Sequence, residues 1–390
     1  MKIMHLSDLH IGLRLKDHDL GEDQEYILNE IAAMAAEEAP DAIVIAGDIY
    51  DKAVPSAEAV ELFDGFLSRL HRELPETEIM SISGNHDSAP RVDMYRGILS
   101  RQHIHMIGQP PMHEGDQIYQ VTLEDAHGPV HFYLLPFVKP AMIKEITGPG
   151  EDGNNMSYDD ALRTLLSKET IDGSERNVLV SHQFYFPAGG DLEGFTKNRA
   201  KSERITVGNV DLVCSDVLRP FDYAALGHIH KAWHMNEGHA YYCGTPLACS
   251  FSEAGQEKHV LMIDLEEKGQ MEVRELPLHP LHQVRVIEGS AKELLSQRSM
   301  DYVSIRLTDL EGMNLLEIRD RLDAAFPNLL EFRRVNTTAV GQNEITIDDE
   351  EMDPAELCRK FLMGTEGNAL DPKLEELLLD VIREVQEEAR

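Results

Sequence analysis

Strand-like and helix-like segments alternate through the first 110 residues of the chain. Short apolar runs such as KIMHLS, AIVIAG and EIMSIS are separated by longer segments such as QEYILNEIAAMAAEEA, which read as helices. Alternation of this kind is typical of a layered α/β sheet. From IYQVTLEDAHGPVHFYLLPFV onward the strands become hairpin-like, with turn sequences between them, which predicts a second sheet facing the first.

The chain divides into three predicted parts. Residues 1–280 form the two-sheet domain, and the proline-spaced LPLHPLHQ leads into a small α+β domain over residues 281–335. The acidic tail, residues 336–390, contains two segments that begin with Asp-Pro, a helix-start signal. The last segment carries one apolar stripe that must be buried, and we favour a partner over the chain's own domain as its binding surface.

Composition limits the surfaces that the protein can offer. The chain has 36 Lys+Arg against 70 Asp+Glu, a net charge of −34, so any contact with nucleic acid must be local, metal-assisted or shared with a partner. The four cysteines show no C-x-x-C spacing, which indicates reduced thiols. The apolar runs are far shorter than the roughly 20 residues of a membrane span, and no secretory signal is recognisable, so we expect a cytoplasmic protein without a membrane segment.

Five strand-like runs are each followed directly by carboxylate, amide or imidazole side chains. Because groups placed at the carboxyl ends of strands in an open α/β sheet converge in space, we expect these side chains to form one cluster. The candidates are Asp8 and His10, Asp48 and Asp51, Asn85 and His86, His182, and His228 and His230.

The donor types in this cluster indicate its metal chemistry. Oxygen and nitrogen donors without thiolate disfavour structural zinc and suit Mn²⁺ or Fe²⁺. Even seven of these nine groups, namely two aspartates, one asparagine and four histidines, exceed what one octahedral ion uses when water and substrate also bind. Two ions roughly 3.5–4 Å apart, bridged by a carboxylate, are the natural solution.

The motifs D-x-H, G-D-x-x-D, G-N-H-D, a lone histidine and G-H-x-H, in this order, resemble those of the calcineurin-like metallophosphoesterases, and in particular their DNA-repair nucleases. The resemblance covers roughly residues 1–335. It implies an α/β (α+β) fold, namely a four-layer αββα sandwich with a small α+β capping domain and a C-terminal helical tail.

The resemblance also implies a role for each candidate residue. Asp8, His10 and His230 would hold one metal ion, and Asn85, His182 and His228 the other. Asp48 would bridge the two ions. His86 would act on the scissile phosphate as an imidazole that is not a ligand, oriented by the Asp51 carboxylate. Asp87 has no ligand role in this scheme and is predicted to form a turn.

Phosphatases, cyclic-nucleotide phosphodiesterases and nucleases share these motifs, so the motifs alone do not name the substrate. The resemblance implies a Mn²⁺-dependent nuclease acting at double-strand ends and hairpins, as a 3′–5′ exonuclease and endonuclease in DNA repair and recombination. It further implies a homodimer within a heterotetramer, with a coiled-coil ATPase as partner, and this chain has no P-loop of its own. The alternatives are a small-molecule phosphodiesterase or phosphatase, and a catalytically silent scaffold subunit.

Basic residues near the metal motifs are candidates for contacts to DNA phosphates. The balance of charge in residues 281–335 is near neutral, so we expect weak DNA binding by this chain alone. Solvated surface charge is the alternative interpretation of each candidate. The candidates are Arg14, Lys16, Lys52, Arg91, Lys197, Arg199, Lys201 and Arg204.

Overall fold

The chain divides into two compact units, Met1–Val335 and Asn336–Arg390. The computed structural model describes residues 1–150, 156–187, 190, 212–235, 239–309, 312 and 314–335. The predicted tail helices and the basic residues Lys197, Arg199, Lys201 and Arg204 lie outside the described residues.

The first sheet has six strands, and its four strands from the amino-terminal part of the chain are parallel to one another. Two later strands complete it by antiparallel pairing. In spatial order the strands are β16 (Met271–Pro277), β15 (His259–Leu265), β1 (Lys2–Leu6), β4 (Ala42–Ala46), β5 (Glu78–Ile82) and β6 (Ile104–Ile107).

Helices cover the outer face of this sheet. The two long ones are α1 (Gly21–Glu38) and α2 (Ala57–Glu73). Helix α2 begins where Ser56 accepts a hydrogen bond from the Ala59 N–H at 3.2 Å, a standard N-cap. Helix α1 ends because Ala39 adopts a left-handed conformation with φ 47°. Two short helices follow β5, α3 (Ala89–Val92) and α4 (Arg96–Leu99).

The second sheet also has six strands and packs against the first. In spatial order they are β13 (Trp233–Met235), β14 (Ala240–Tyr242), β12 (Tyr223–Leu226), β9 (Arg176–Ser181), β8 (Gly128–Leu135) and β7 (Tyr119–Asp125). Its outer face packs against α5 (Lys144–Thr147), α6 (Tyr158–Ser167) and the short pair β10 (Phe184–Phe186) and β11 (Leu212–Cys214).

A continuous apolar layer lies between the two sheets, with Val44 and Met80 from one side and Phe132 and Val178 from the other, all fully buried. Strands buried on both faces explain why AIVIA and RNVLVS read as continuous apolar runs rather than alternating ones. Helix, sheet, sheet and helix are thus stacked in that order, which confirms the four-layer αββα sandwich.

A third sheet follows in residues 284–334 and is parallel throughout. It consists of β17 (Val284–Ser290), β18 (Tyr302–Asp309) and β19 (Leu329–Arg334), with α7 (Ala291–Leu295) and α8 (Leu315–Ala325) packed on it. The Tyr302 hydroxyl donates to Asp23 at 2.6 Å, which fastens this sheet to α1. The predicted domain boundary at residue 280 stays a prediction.

Smaller elements complete the described part of the chain. The strands β2 (Arg14–Leu15) and β3 (His18–Asp19) form a hairpin whose Leu15 packs against the third sheet. Four 3₁₀ turns are present among the described residues, at Ser100–Gln102, Pro140–Ile143, Ser215–Leu218 and Phe251–Glu253. Among the described helices, none has the length and apolar content that would cross a lipid bilayer.

Candidate metal centre

The loops after β1, β4, β5, β9 and β12 meet at one edge of the two sheets. The His10 N–H donates to the Asp48 carbonyl at 3.0 Å, and the His86 N–H donates to the Asp48 carboxylate at 2.8 Å. From the second sheet, the His228 N–H donates to the Asp8 carboxylate at 2.9 Å. All nine predicted site residues are therefore brought together, as convergence of strand ends predicts.

One set of donors consists of Asp8, His10 and His230. Nε2 of His10 lies 3.2 Å from Nε2 of His230, and a carboxylate oxygen of Asp8 lies within 4.8 Å of a ring nitrogen of each. The three side chains are buried. Neighbouring ligand atoms of an octahedral ion with bonds of about 2.2 Å are about 3.1 Å apart. The two ring nitrogens therefore have the spacing of neighbouring ligands of one ion.

A second set consists of Asn85, His182 and His228. The Asn85 side-chain oxygen lies 2.9 Å from Nδ1 of His228 and 3.1 Å from Nε2 of His182. Nδ1–H of His182 donates to the Ala46 carbonyl at 2.8 Å. This hydrogen bond orients the His182 ring so that its Nε2 faces the side-chain oxygens of Asn85 and Asp48.

Asp48 lies between the two sets. Its Oδ2 oxygen is 3.2 Å from Nε2 of His182 and 3.8 Å from Nε2 of His10. Its other oxygen is occupied by the His86 N–H at 2.8 Å. One carboxylate oxygen thus faces donors of both sets.

Burial and charge determine the protonation of these groups. Burial opposes ionisation of Asp48, but the neighbouring His182 outweighs it and holds the pKa of this carboxyl well below its usual range. Burial lowers the pKa of His10 to about 3, so its imidazole is neutral and can donate a lone pair. Burial raises the pKa of Asp8 to about 6. The Asp48 carboxylate, in contrast, outweighs burial at His182 and raises the pKa of that imidazole to about 9. Carboxylate and imidazole groups buried together are donors that fit a divalent cation.

Four donor residues have left-handed backbone conformations, with φ of 52° at Asp8, 44° at His10, 49° at Asp48 and 98° at His228. Such conformations are uncommon for residues other than glycine and cluster at functional sites. The Asp8 N–H donates to the Gly47 carbonyl at 3.0 Å, which helps to hold the first of these turns.

Glycines allow the loops to approach one another closely. A Cβ atom on Gly84 would lie 2.1 Å from a carboxylate oxygen of Asp48, and one on Gly227 would lie 1.9 Å from the Ala46 carbonyl oxygen. Neither position can accept a side chain without moving a donor loop. These two glycines therefore allow the loops that carry Asn85 and His228 to pack against the end of β4 and its loop.

His86 lies beside the first donor set and is half-buried. Its Nδ1 lies 2.9 Å from the backbone carbonyl oxygen of Asp51, and its ring meets the ring of His10 edge-on with centroids 4.9 Å apart. A carboxylate oxygen of Asp51 lies within 4.8 Å of a ring nitrogen of His86. Nδ1–H of His86 therefore donates to the backbone carbonyl of Asp51, whereas we expected the Asp51 carboxylate to orient the ring.

Two residues of the site carry roles that the sequence did not reveal. The Asp87 carboxylate accepts three backbone hydrogen bonds, from Gly84 at 2.9 Å, Ile49 at 3.0 Å and Tyr50 at 2.9 Å, and so fastens the β4 loop to the β5 loop. Glu253 is fully buried behind His230, with its carboxylate 3.2 Å from Nδ1 of that ring. The string YYCGTPLACSFSE holds Glu253, but nothing local marks it as buried.

The described basic candidates differ in their surroundings. Arg14 and Lys52 border a cleft of about 470 Å³ that also has Asp51 in its wall. The Arg14 side chain is 52% exposed and lies 3.9 Å from Asp19. Lys16 and Arg91 are exposed.

Residues 1–262 match the calcineurin-like phosphoesterase family. The chain belongs to this family, whose members are hydrolases of phosphate esters. It is also 32% identical over 349 residues to the D subunit of the nuclease SbcCD from Staphylococcus epidermidis, a match that covers 86% of each chain. The protein of the same name from Staphylococcus saprophyticus is 28% identical over 400 residues, covering 98% of this chain and 99% of that one.

These two relatives place the chain among the SbcD-type members of the family. A dimetal phosphatase from Danio rerio is similar in structure with a TM-score of 0.41 and 15% identity, covering 70% of this chain and 95% of that one.

Proposed function

We propose that the protein is the nuclease subunit of an SbcCD-type complex and hydrolyses phosphodiester bonds in DNA with two divalent ions, Mn²⁺ by preference. Asp8, His10 and His230 would hold one ion, and Asn85, His182 and His228 the other. The observation that carries this proposal is the position of Asp48, whose Oδ2 faces His182 at 3.2 Å and His10 at 3.8 Å. A carboxylate in this position suits a bridge between two ions.

Two divalent ions supply positive charge for the phosphate oxygens and acidify an attacking water. The residues of the chain provide the rest. Asn85 is exposed and His86 and His228 are partly exposed, whereas Asp8, His10, Asp48 and His182 are buried, so a phosphodiester would approach from the side of His86. Nδ1 of His86 is held by the Asp51 carbonyl. Nε2 then faces the substrate in this proposal, and the doubly protonated imidazolium can donate its Nε2 proton to a phosphate oxygen or to the leaving oxygen.

The names of the relatives support DNA as the substrate and SbcC as the partner. We propose action at double-strand ends and hairpins, as a 3′–5′ exonuclease and endonuclease, in DNA repair, recombination and replication. The coiled-coil ATPase SbcC would supply the ATP dependence, within a heterotetramer that holds two copies of this chain. Cytoplasmic location follows from the same proposal.

Contacts to DNA would be few and local, because the net charge of the chain is −34. We propose that Arg14 and Lys52, which border the cleft that includes Asp51, contact backbone phosphates of the DNA. Lys16, Arg91, Lys197 and Arg199 are further candidates for such contacts.

Cleavage of end-labelled linear and hairpin DNA tests this proposal, with a small phosphodiester as the competing substrate. Reactions contain Mn²⁺ or EDTA, with and without SbcC and ATP. Manganese-dependent DNA cleavage that the partner increases supports the nuclease. Turnover of the small ester alone would replace it with a small-molecule phosphodiesterase or phosphatase. No turnover of either substrate, with two ions bound, would indicate a scaffold subunit.

Docking of the partner is tested separately. We propose that the tail, residues 336–390, binds SbcC through its apolar stripe. Deletion of residues 350–390 is expected to abolish complex formation while leaving Mn²⁺-dependent cleavage of short DNA intact. Complex formation with undiminished affinity would overturn this assignment.

A further inference from the structure

Glu253 is a fully buried carboxylate that the proposed reaction does not use. Its Oε1 lies 3.2 Å from Nδ1 of His230, on the side of the ring opposite the nitrogen that faces His10. A buried carboxylate loses hydration, so its position requires compensating partners. The partners of the Glu253 carboxylate indicate its role.

Lys258 supplies the compensating charge. Its Nζ donates to the Glu253 carboxylate at 2.9 Å, to the Thr245 hydroxyl at 2.7 Å and to the His230 backbone carbonyl at 3.2 Å. The Thr245 hydroxyl lies 3.2 Å from the same carboxylate oxygen. The side chain of Lys258 is 7% exposed and that of Glu253 is 0% exposed, so the ion pair is screened little by water. The Glu253–Lys258 ion pair therefore contacts His230 both at the ring nitrogen Nδ1 and at the backbone carbonyl.

The acceptor behind His230 differs from the one behind His182. His182 donates to the neutral carbonyl of Ala46 at 2.8 Å, whereas Nδ1 of His230 meets an ionised carboxylate. A carboxylate behind a ligand histidine fixes the tautomer and ring orientation and makes the ligating nitrogen more basic. Nε2 of His230 is the nitrogen so affected, and it points to the first donor set.

We propose that Glu253, held in place by Lys258, is a positioning residue that strengthens binding of the ion held by Asp8, His10 and His230. This inference rests on the two-ion site of the proposed function. The Glu253–Lys258 ion pair would therefore affect the ion held by Asp8, His10 and His230 and not the other ion. Among the described hydrogen bonds and ion pairs, Asn85, His182 and His228 have no contact with Glu253.

Isothermal titration calorimetry with Mn²⁺ tests this inference in the full-length protein. Glu253→Gln keeps the shape of the side chain and removes its charge. We expect two binding events in the wild type, and in the variant a loss of about 10- to 100-fold in affinity at one of them. The second event is expected to keep its wild-type affinity.

Two further variants separate positioning from simple stability. Asp125→Asn removes the carboxylate that pairs with the buried Arg176 guanidinium at the opposite end of β9 from His182, and is expected to lower Tm without changing Mn²⁺ affinity. The double variant Glu253→Gln/Lys258→Met removes both buried charges. It replaces Glu253→Gln in the titration if that single variant does not fold. It is expected to show the same loss at one site.

The outcomes distinguish the two proposals. Wild-type Mn²⁺ affinity in both Glu253 variants, whatever their Tm, would overturn the positioning role and leave the two-ion site standing. Equal weakening of both binding events would also overturn it, because the ion pair contacts one donor set. A wild-type protein that binds no Mn²⁺ would overturn the two-ion site itself and the inference with it.

Discussion

Nδ1 of His86 lies 2.9 Å from the backbone carbonyl oxygen of Asp51. A carbonyl oxygen only accepts hydrogen bonds, so Nδ1 carries a proton, and in the neutral ring the second nitrogen carries the lone pair. The contact uses the backbone and is therefore retained when the side chain at position 51 changes. The structure thus separates the contribution of His86 from that of the Asp51 carboxylate.

The first prediction follows from this separation. His86→Ala is expected to lower kcat by about 10²- to 10⁴-fold, the range for loss of a general acid, with Mn²⁺ affinity unchanged. Asp51→Ala is expected to cause a much smaller loss, because the carbonyl that holds His86 remains. Initial rates on end-labelled duplex DNA measure both. Equal losses in the two variants would show that the carboxylate, and not the carbonyl, orients the ring.

The second prediction concerns the bridging position. Asp48→Asn removes the charge of the oxygen that faces both donor sets, and is expected to abolish cleavage and to reduce the number of bound Mn²⁺ ions below two. Circular dichroism is expected to show an intact fold. Asp320→Asn, an exposed aspartate on α8, is the matched control and should keep both ions. Wild-type turnover by Asp48→Asn would rule out a bridging role.

The third prediction compares two glycines. Gly84→Ala places a methyl group 2.1 Å from the Asp48 carboxylate, so the donor loop must move, and we expect loss of Mn²⁺ binding. Gly65→Ala within α2 meets no atom within 4 Å and is expected to stabilise the protein by about 0.5–1 kcal/mol through helix propensity. Calorimetric titration and thermal unfolding measure the two effects. Normal ion binding by Gly84→Ala would contradict the close packing of these loops.

The fourth prediction concerns stability and pH. Hydrogen bonds from Arg176 hold the pKa of Asp125 well below its usual range, and the terminal amino group of Met1 lies 2.8 Å from the same carboxylate. Because the folded pKa is depressed, this stabilisation is present above the unfolded pKa of about 3.9 and is lost as pH falls below it toward the folded value.

Asp125→Asn is therefore expected to lower the free energy of unfolding by about 3 kcal/mol at pH 7, since it leaves the Arg176 guanidinium buried without its carboxylate. Urea unfolding at a series of pH values measures this difference. The gap between wild type and variant should narrow as pH falls below about 4. A gap independent of pH would mean that the ion pair does not contribute through charge.

The sequence was sufficient to predict the layered architecture and the convergence of the donors. Both depend on local patterns, namely apolar strands and the polar residues directly after them, and on the rule that parallel strands end at one edge. His10 and His230 are 220 positions apart, yet each could be identified from its own strand end.

The contacts around the donors could not be predicted in the same way. Two of the three partners of Asp87 are backbone N–H groups of a loop 37 and 38 residues away, and such groups have no signature in the sequence. Glu253 resembles any surface glutamate until the fold buries it beside Lys258. The hydrogen bond from His86 to the carbonyl of Asp51 likewise could not be predicted from the identities of the side chains. Packing, rather than residue identity, determines these contacts.

The left-handed conformations of Asp8, His10, Asp48 and His228 lower the stability of the fold at residues that the proposed metal site requires. Each is a conformation that glycine adopts freely and that other residues adopt at a cost on the order of 1–3 kcal/mol. Glycine, however, offers no donor atom. Substitution by glycine at these four positions would therefore gain stability only by removing a proposed ligand, so gains of this kind must be sought at left-handed residues outside the candidate site, such as Ala39 and Tyr95.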